Sequence, residues 1–265
     1  MDICQDKSKS AKIWLSQGIP CPKTIIITSP NDLQNAAEQI GYPFWMRATQ
    51  GAGGRGSTLV NNLETGKAWL RYWESREEIS MNFIAQQYLP GLNLAWQSIW
   101  KDGELVVSQA RERIEYIYPY LAVSGVTGTP VVAKTVNMPE KWKKIAEDAV
   151  LSIDEDASGI FCVDLKGDKN GIPNPTEINC GRFFTTSAGF SSLGAQLGVS
   201  GANMPWVSVK LGLGEKVGPF PKFDILPSGW HYIRHIDICS SWVPNKVIEE
   251  TQNQEKFIPK RDFSK

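Results

Sequence analysis

Residues 160–182 read Ile160-Phe-Cys-Val-Asp164-Leu-Lys-Gly-Asp-Lys-Asn170-Gly171-Ile-Pro173-Asn-Pro175-Thr-Glu177-Ile-Asn179-Cys-Gly-Arg182. Two short strands flank Asn170-Gly171, a dipeptide that tolerates the positive φ of a type I′ turn at least cost. Glu177 and Asn179 are two apart, so on a strand they share one face. Asp164 lies on the partner strand, and the hairpin brings its carboxylate toward that face, gathering two anionic oxygens and one amide oxygen. Magnesium takes oxygen ligands and is commonly held by one or two carboxylates together with substrate phosphates. Arg182, three residues beyond Asn179, can carry positive charge to a phosphoryl group there. An acidic hairpin whose polar residues simply face water has the same composition. Pro173 and Pro175 cannot donate to a ladder, which predicts a second strand that is at an edge or irregular before Thr176.

A second stretch, Thr49-Gln-Gly51-Ala-Gly53-Gly54-Arg-Gly56-Ser57, follows a predicted strand over residues 43–47 and precedes another over 58–60. Glycines there permit positive φ and let backbone N–H groups approach a ligand, the usual way a loop cradles phosphate oxygens. A flexible hairpin tip has the same composition.

The chain has 265 residues, long enough for one large or two modest domains. Its 28 basic and 28 acidic residues balance, which argues against general nucleic-acid or membrane-surface binding, both of which favour a basic excess. No apolar run approaches the roughly 20 residues needed to span a bilayer, and the amino terminus has no signal-peptide core, so a soluble, cytoplasmic protein is expected. Five scattered cysteines form no CxxC pair, suggesting neither a disulfide framework nor a zinc site. Trp69, Trp73 and Trp142 fall at helical spacing beside apolar neighbours and read as core.

Helices are predicted over residues 6–17, capped by Asp6, from about 31 to 40, over 63–78, over 138–153 and from Pro205 through Leu213. Strands are predicted over 24–28, 83–91, 94–100, 105–113, 130–136 and 230–238, with Asp102-Gly103 turning one hairpin. Residues 183–198 read as irregular and the tail after Glu249 as loose. His231 and His235 share a strand face about 13 Å apart, too far to share a metal.

Asp164, then Glu177 and Asn179, resembles the metal-binding D…E-x-N signature of the ATP-grasp superfamily, and Glu-Ile-Asn-Cys-Gly-Arg is similar to its E-[IM]-N-x-R ending, with Gly181 as one extra residue. The strand, Arg47 and glycine loop resemble the family's lid, and the arginine, together with Lys7 on the first helix, is similar to the carbamoyl-phosphate synthetase large-subunit branch. The resemblance implies an α+β fold: an N-terminal helix and small lid over residues 1–86, then a larger antiparallel-sheet domain over 87–265 carrying the metal site. It implies ATP with Mg2+, or Mn2+, as cofactors. Gly51, Gly53, Gly54, Gly56, Lys7 and Arg47 would hold phosphates. Gln87, Tyr88 and Leu89 would meet adenine through their backbone, and Asn93 stands where an acidic residue usually meets ribose hydroxyls. Arg182 and Arg47 would neutralise developing charge, and Arg111 would face the acceptor, although Arg111 and Arg113 also suit a solvated pair. The implied reaction is activation of a carboxylate or bicarbonate as an acyl phosphate, attacked by an amine or ammonia. Resembling proteins carry a further domain before the first helix, so a separate domain or subunit is an expected partner. The alternative is a nucleotide-binding module, non-catalytic or partner-dependent.

Overall fold

The computed structural model describes residues 2–76, 82–235 and 238–255. Two short helices begin the chain, α1 (Asp2–Gln5) and α2 (Lys7–Ser16). The Asp6 carboxylate accepts the Ser8 N–H at 2.9 Å, the side-chain cap that starts α2. Buried Trp14 donates its indole N–H to the Ala149 carbonyl at 3.0 Å.

A four-stranded antiparallel sheet follows, in the order β1-β4-β2-β3, built from β1 (Thr24–Ile27), β2 (Phe44–Ala48), β3 (Thr58–Val60) and β4 (Phe83–Gln87). Helices α3 (Asp32–Ile40) and α4 (Leu63–Glu74) cover one face, enclosing Ile27, Leu33, Phe44, Met46, Leu70 and Phe83. α4 ends at Glu74, and residues 77 and 78 of the expected helix lie outside the described residues.

The larger sheet has seven antiparallel strands in the order β11-β10-β7-β6-β5-β8-β9. They are β5 (Asn93–Lys101), β6 (Glu104–Tyr116), β7 (Pro130–Val136), β8 (Gly159–Gly167), β9 (Pro173–Cys180), β10 (Trp230–His235) and β11 (Ile238–Pro244). Alternation assigns the two faces of its central strands. Leu94, Trp96, Ala110, Val163, Leu165 and Ile178 form one core with Trp14 and with α5 (Glu140–Leu151), while Arg111, Ala95, Asp164 and Glu177 form a row on the other face. This α+β pair of antiparallel sheets, the smaller followed by the larger, is the architecture that the resemblance implied.

Three sequence readings differ in detail. Asn170 does not adopt positive φ; Gly171 alone does, at 76°. The Asp168 carboxylate shapes the turn instead, accepting N–H bonds from Asn170 and Ile172 at 2.8 and 2.9 Å. Residues 183–198 are largely helical, as α6 (Ser187–Leu197), because its small residues let it pack tightly: a Cβ on Gly194 would stand 2.5 Å from that of Ala202. α7 (Met204–Gly212) follows, and α8 (Asn245–Glu255) carries helix past Glu249, residues 256–265 being outside the described set. The expected edge strand is observed. β9 is the last strand, with a register shift that leaves Thr176 unpaired between Leu165↔Pro175 and Asp164↔Glu177.

Candidate active site

Between the two sheets lies a cavity of about 560 Å³. Its floor is the polar face of β5, β6, β8 and β9. Its roof is β2 with the glycine loop behind it, and residues 124–129 close one side.

Asp164 and Glu177 are direct cross-strand partners, and Asn179 follows two residues on along β9. Each is met by a base. Arg113 Nη2 stands 2.6 Å from Asp164. Glu177 receives Arg47 at 3.4 Å and Lys7 at 3.9 Å, and Arg182 donates to the Asn179 side-chain oxygen. Lys7 also donates to the Gly51 carbonyl at 3.0 Å, tying the glycine loop to the floor. Arg47 is oriented by Gln86 at 3.0 Å and donates to the Thr176 carbonyl, the residue exposed by the β9 bulge. Burial lowers the Lys7 and Arg47 pKa values from their ordinary positions, and the Glu177 carboxylate opposes that effect.

Among the described residues no three His, Cys, Asp or Glu side chains gather. The donor set here is two adjacent carboxylates and one amide oxygen. That fits a hard divalent cation completing its shell with water and ligand phosphates, as magnesium does.

Lys7, Arg47, Gly51, Gly53, Gly54, Gln87, Tyr88, Leu89, Asn93, Arg111, Asp164, Glu177, Asn179 and Arg182 all line the cavity. Gly56 does not. It packs behind the loop, with space for a Cβ only 3.1 Å from that of Ala48, and its carbonyl accepts the Trp69 indole N–H. Asn93 is already engaged, donating to Tyr116 Oη at 2.9 Å and accepting from Arg113 at 3.2 Å.

Sequence reasoning missed two contributors, Gln86 and Lys166, and named Arg113 only as a pair with Arg111 without its carboxylate partner. Arg113 is the ion partner of Asp164, Gln86 orients Arg47, and Lys166 lines the cavity with its pKa lowered by burial. Lys166 was findable, since it stands two residues beyond Asp164 on the same strand face. The cavity thus presents seven cationic side chains, Lys7, Arg47, Arg55, Arg111, Arg113, Lys166 and Arg182, against two carboxylates. In a chain of balanced charge, that local excess calls for a polyanionic ligand.

Fold and site together define a class: a two-sheet clasp around a cationic cavity that holds two adjacent carboxylates. The family model for the ATP-grasp domain matches residues 4–186, and the chain belongs to that family. It is similar to D-alanine–D-alanine ligase of Ectopseudomonas mendocina, 24% identical over 89 residues, covering 34% of this chain and 28% of that protein. A 60-residue segment is 37% identical to the carbamoyl phosphate synthase large chain of Methanothrix thermoacetophila, covering 23% of this chain and 6% of the relative. Among solved structures, the biotin carboxylase domain of Hydrogenobacter thermophilus 2-oxoglutarate carboxylase, solved with MgADP, ADP and bicarbonate, superposes with a TM-score of 0.68 at 15% identity. That match covers 87% of this chain and 49% of that one. The chain therefore spans only part of the length of the relatives it matches. No helix among the described residues is long and apolar enough to cross a membrane.

Proposed function

We propose that this chain is an ATP-dependent ligase: it activates a carboxylate or bicarbonate as an acyl phosphate, and an amine or ammonia then displaces phosphate. The observation that carries the reading is the cross-strand pair Asp164 and Glu177 facing a glycine loop inside a strongly cationic cavity. Asp164, Glu177 and Asn179 would hold magnesium, which when bound would offset phosphate charge. Lys7, Arg47 and Arg182 are grouped around Glu177 and Asn179, where they neutralise phosphate oxygens as the carboxylate oxygen bonds to the terminal phosphorus, the bond to the bridging oxygen breaks and negative charge builds on the departing ADP. The backbone of the loop at Gly51, Gly53 and Gly54 approaches those oxygens without side chains and excludes water that would hydrolyse the intermediate. Residues 87–89, the last residue of β4 and the start of its link to β5, line the cavity and would meet the adenine edge through their backbone. In this reading residues 1–86 supply the lid and residues 87–265 the metal-bearing sheet.

Magnesium-dependent ADP release across a panel of carboxylates and amines tests the proposal. Acceptor-stimulated release is expected, and Glu177→Ala is expected to abolish it. One observation favours a second reading, a nucleotide-binding module without ligase activity: both polar atoms of Asn93 are already bonded within the protein. That module would bind Mg-ATP by calorimetry and show no acceptor-stimulated phosphate release.

A further inference from the structure

Trp69 and Trp73 stand one turn apart on α4, and their indoles have different surroundings. Trp69 is partly buried and donates its Nε1–H to the Gly56 carbonyl at 3.1 Å. Trp73 is 6% exposed, and its Nε1 meets no hydrogen-bond partner. The two rings pack edge to face with centroids 5.8 Å apart. Core packing accounts for Trp73 but leaves the directed bond of Trp69 unexplained.

That bond ends on the downstream foot of the glycine loop. Gly51, Gly53, Gly54 and Gly56 hold φ of 108°, 69°, 72° and 75°. Glycine loses more backbone freedom on ordering than any other residue, so a run of this kind needs contacts outside itself to keep one shape. Within the loop, the Arg55 and Ser57 N–H groups donate to the Ala52 and Gly54 carbonyls at 3.3 and 3.0 Å. Among the described residues, no carbonyl accepts from the N–H groups of Gly51, Ala52, Gly53 or Gly54, all of which line the cavity. The upstream foot is tied by Lys7 Nζ to the Gly51 carbonyl at 3.0 Å. The downstream foot is tied by Trp69, with Gly56 packed against Ala48 and Phe83. The loop also sends Arg55 over the Trp73 ring at 5.6 Å, a contact that any aromatic ring there keeps. Trp69 itself does not line the cavity, so its effect on a ligand passes through the loop.

We propose that Trp69 is a positioning residue for the nucleotide phosphates: its indole N–H fixes the Gly56 carbonyl and so orders the glycine loop before nucleotide arrives. The proposal rests on the reading of the cavity as an ATP site. Ordering a loop in advance removes that cost from the binding step, and a ligand that uses the loop gains affinity by the same amount. A ligand without phosphates gains nothing from it. By linkage, phosphate binding must in turn strengthen the Trp69 bond.

The test compares Trp69→Phe, which keeps a ring and loses the donor, with Trp73→Phe, which loses a donor that bonds to nothing. Thermal unfolding confirms that both are folded. In the nucleotide-free protein, NMR hydrogen exchange of the Arg55 and Ser57 amides should quicken about fivefold in Trp69→Phe, the worth of one neutral hydrogen bond. Calorimetry should show Mg-ATP weakened by about the same factor and adenosine by less than about twofold. Trp73→Phe should change each of these by less than about twofold. In the wild type, saturating Mg-ATP should slow exchange of the Trp69 indole proton about fivefold and leave that of Trp73 alone. Unchanged loop exchange in Trp69→Phe, adenosine weakened as much as Mg-ATP, the same losses in Trp73→Phe, or a Trp69 indole proton indifferent to bound Mg-ATP would each overturn the assignment. A wild type that binds no Mg-ATP would instead count against the ATP-site reading, and the exchange rates of the nucleotide-free loop would still decide whether Trp69 orders it.

Discussion

Asp164 and Glu177 face each other across one ladder position, yet they sit in different electrostatic settings. Asp164 is held by a single, enclosed arginine, whose side chain is 9% exposed, whereas Glu177 stands before Lys7 and Arg47 at longer range. Removing one member of a buried pair leaves the other charge uncompensated, at a cost of about 3 kcal/mol. Asp164→Asn is therefore expected to lower stability by about that amount, read from the urea midpoint at constant slope. Adding Arg113→Met should restore most of the loss without restoring magnesium-dependent nucleotide binding. A double variant as unstable as the single would show that Arg113 is not what Asp164 offsets. The grouping of Asp164, Glu177 and Asn179 on one face is legible in the sequence, because strand period two and a turn signal suffice to bring the three together. The partner of each was not. Arg113 meets Asp164 across an intervening strand, and that choice depends on the registers of β6 on β5 and β5 on β8, which no local pattern encodes.

At the scale of elements, α2 links a local signal to the site. Its cap, Asp6, immediately precedes Lys7, whose backbone N–H donates to Thr49 O at 2.9 Å and whose ammonium reaches Gly51 and Glu177. Asp6→Ala should cost about 1 kcal/mol of stability and weaken nucleotide binding through a displaced Lys7. Burial alone would raise the Asp6 pKa, but hydrogen bonds from Ser8 and Lys9 outweigh it and hold the value below the usual 3.8. A depressed carboxyl pKa contributes stability that is present above the unfolded value and lost as pH falls through the folded one. The gap between wild type and Asp6→Ala is thus expected to be full near neutrality and to close in acid below about pH 4, as followed by urea denaturation. An undiminished gap in acid would mean that the carboxylate is not the cap. The same helix shows where element reading stops. Its start follows from Asp6, but its docking through Trp14 onto α5 joins residues 135 apart, and a long-range contact of that kind has no periodic signature. α6 was missed for a related reason: a Ser- and Gly-rich run reads as loop until the close-packed contact at Gly194 makes small residues an advantage.

For the whole molecule, the question is how two sheets with separate cores act as one clasp. Their glycine loops meet backbone to backbone. A Cβ on Gly54 would fall 1.9 Å from the Val126 carbonyl oxygen, and one on Gly128 would fall 2.7 Å from the Gly53 Cα. Both glycines also hold positive φ, 72° and 73°. Neither clash involves a flexible side chain, so a methyl group at either position must move one loop away from the other. The cores lie elsewhere, around Phe44 and Phe83 in the smaller sheet, and around Trp96 with Val163 and around Val107 with Phe190 in the larger. Gly54→Ala and Gly128→Ala are accordingly expected to cost about 1–2 kcal/mol in stability. Their larger effect should be on closure, with faster nucleotide dissociation and more acceptor-independent ATP hydrolysis as water enters. Because the two substitutions act on one contact, the double variant should lose little beyond the worse single. Stopped-flow dissociation of a fluorescent ADP analogue, set beside phosphate release without acceptor, separates this outcome from plain destabilisation. Unchanged dissociation in both variants, despite the methyl groups, would mean that the loops do not need to touch for the clasp to hold its nucleotide.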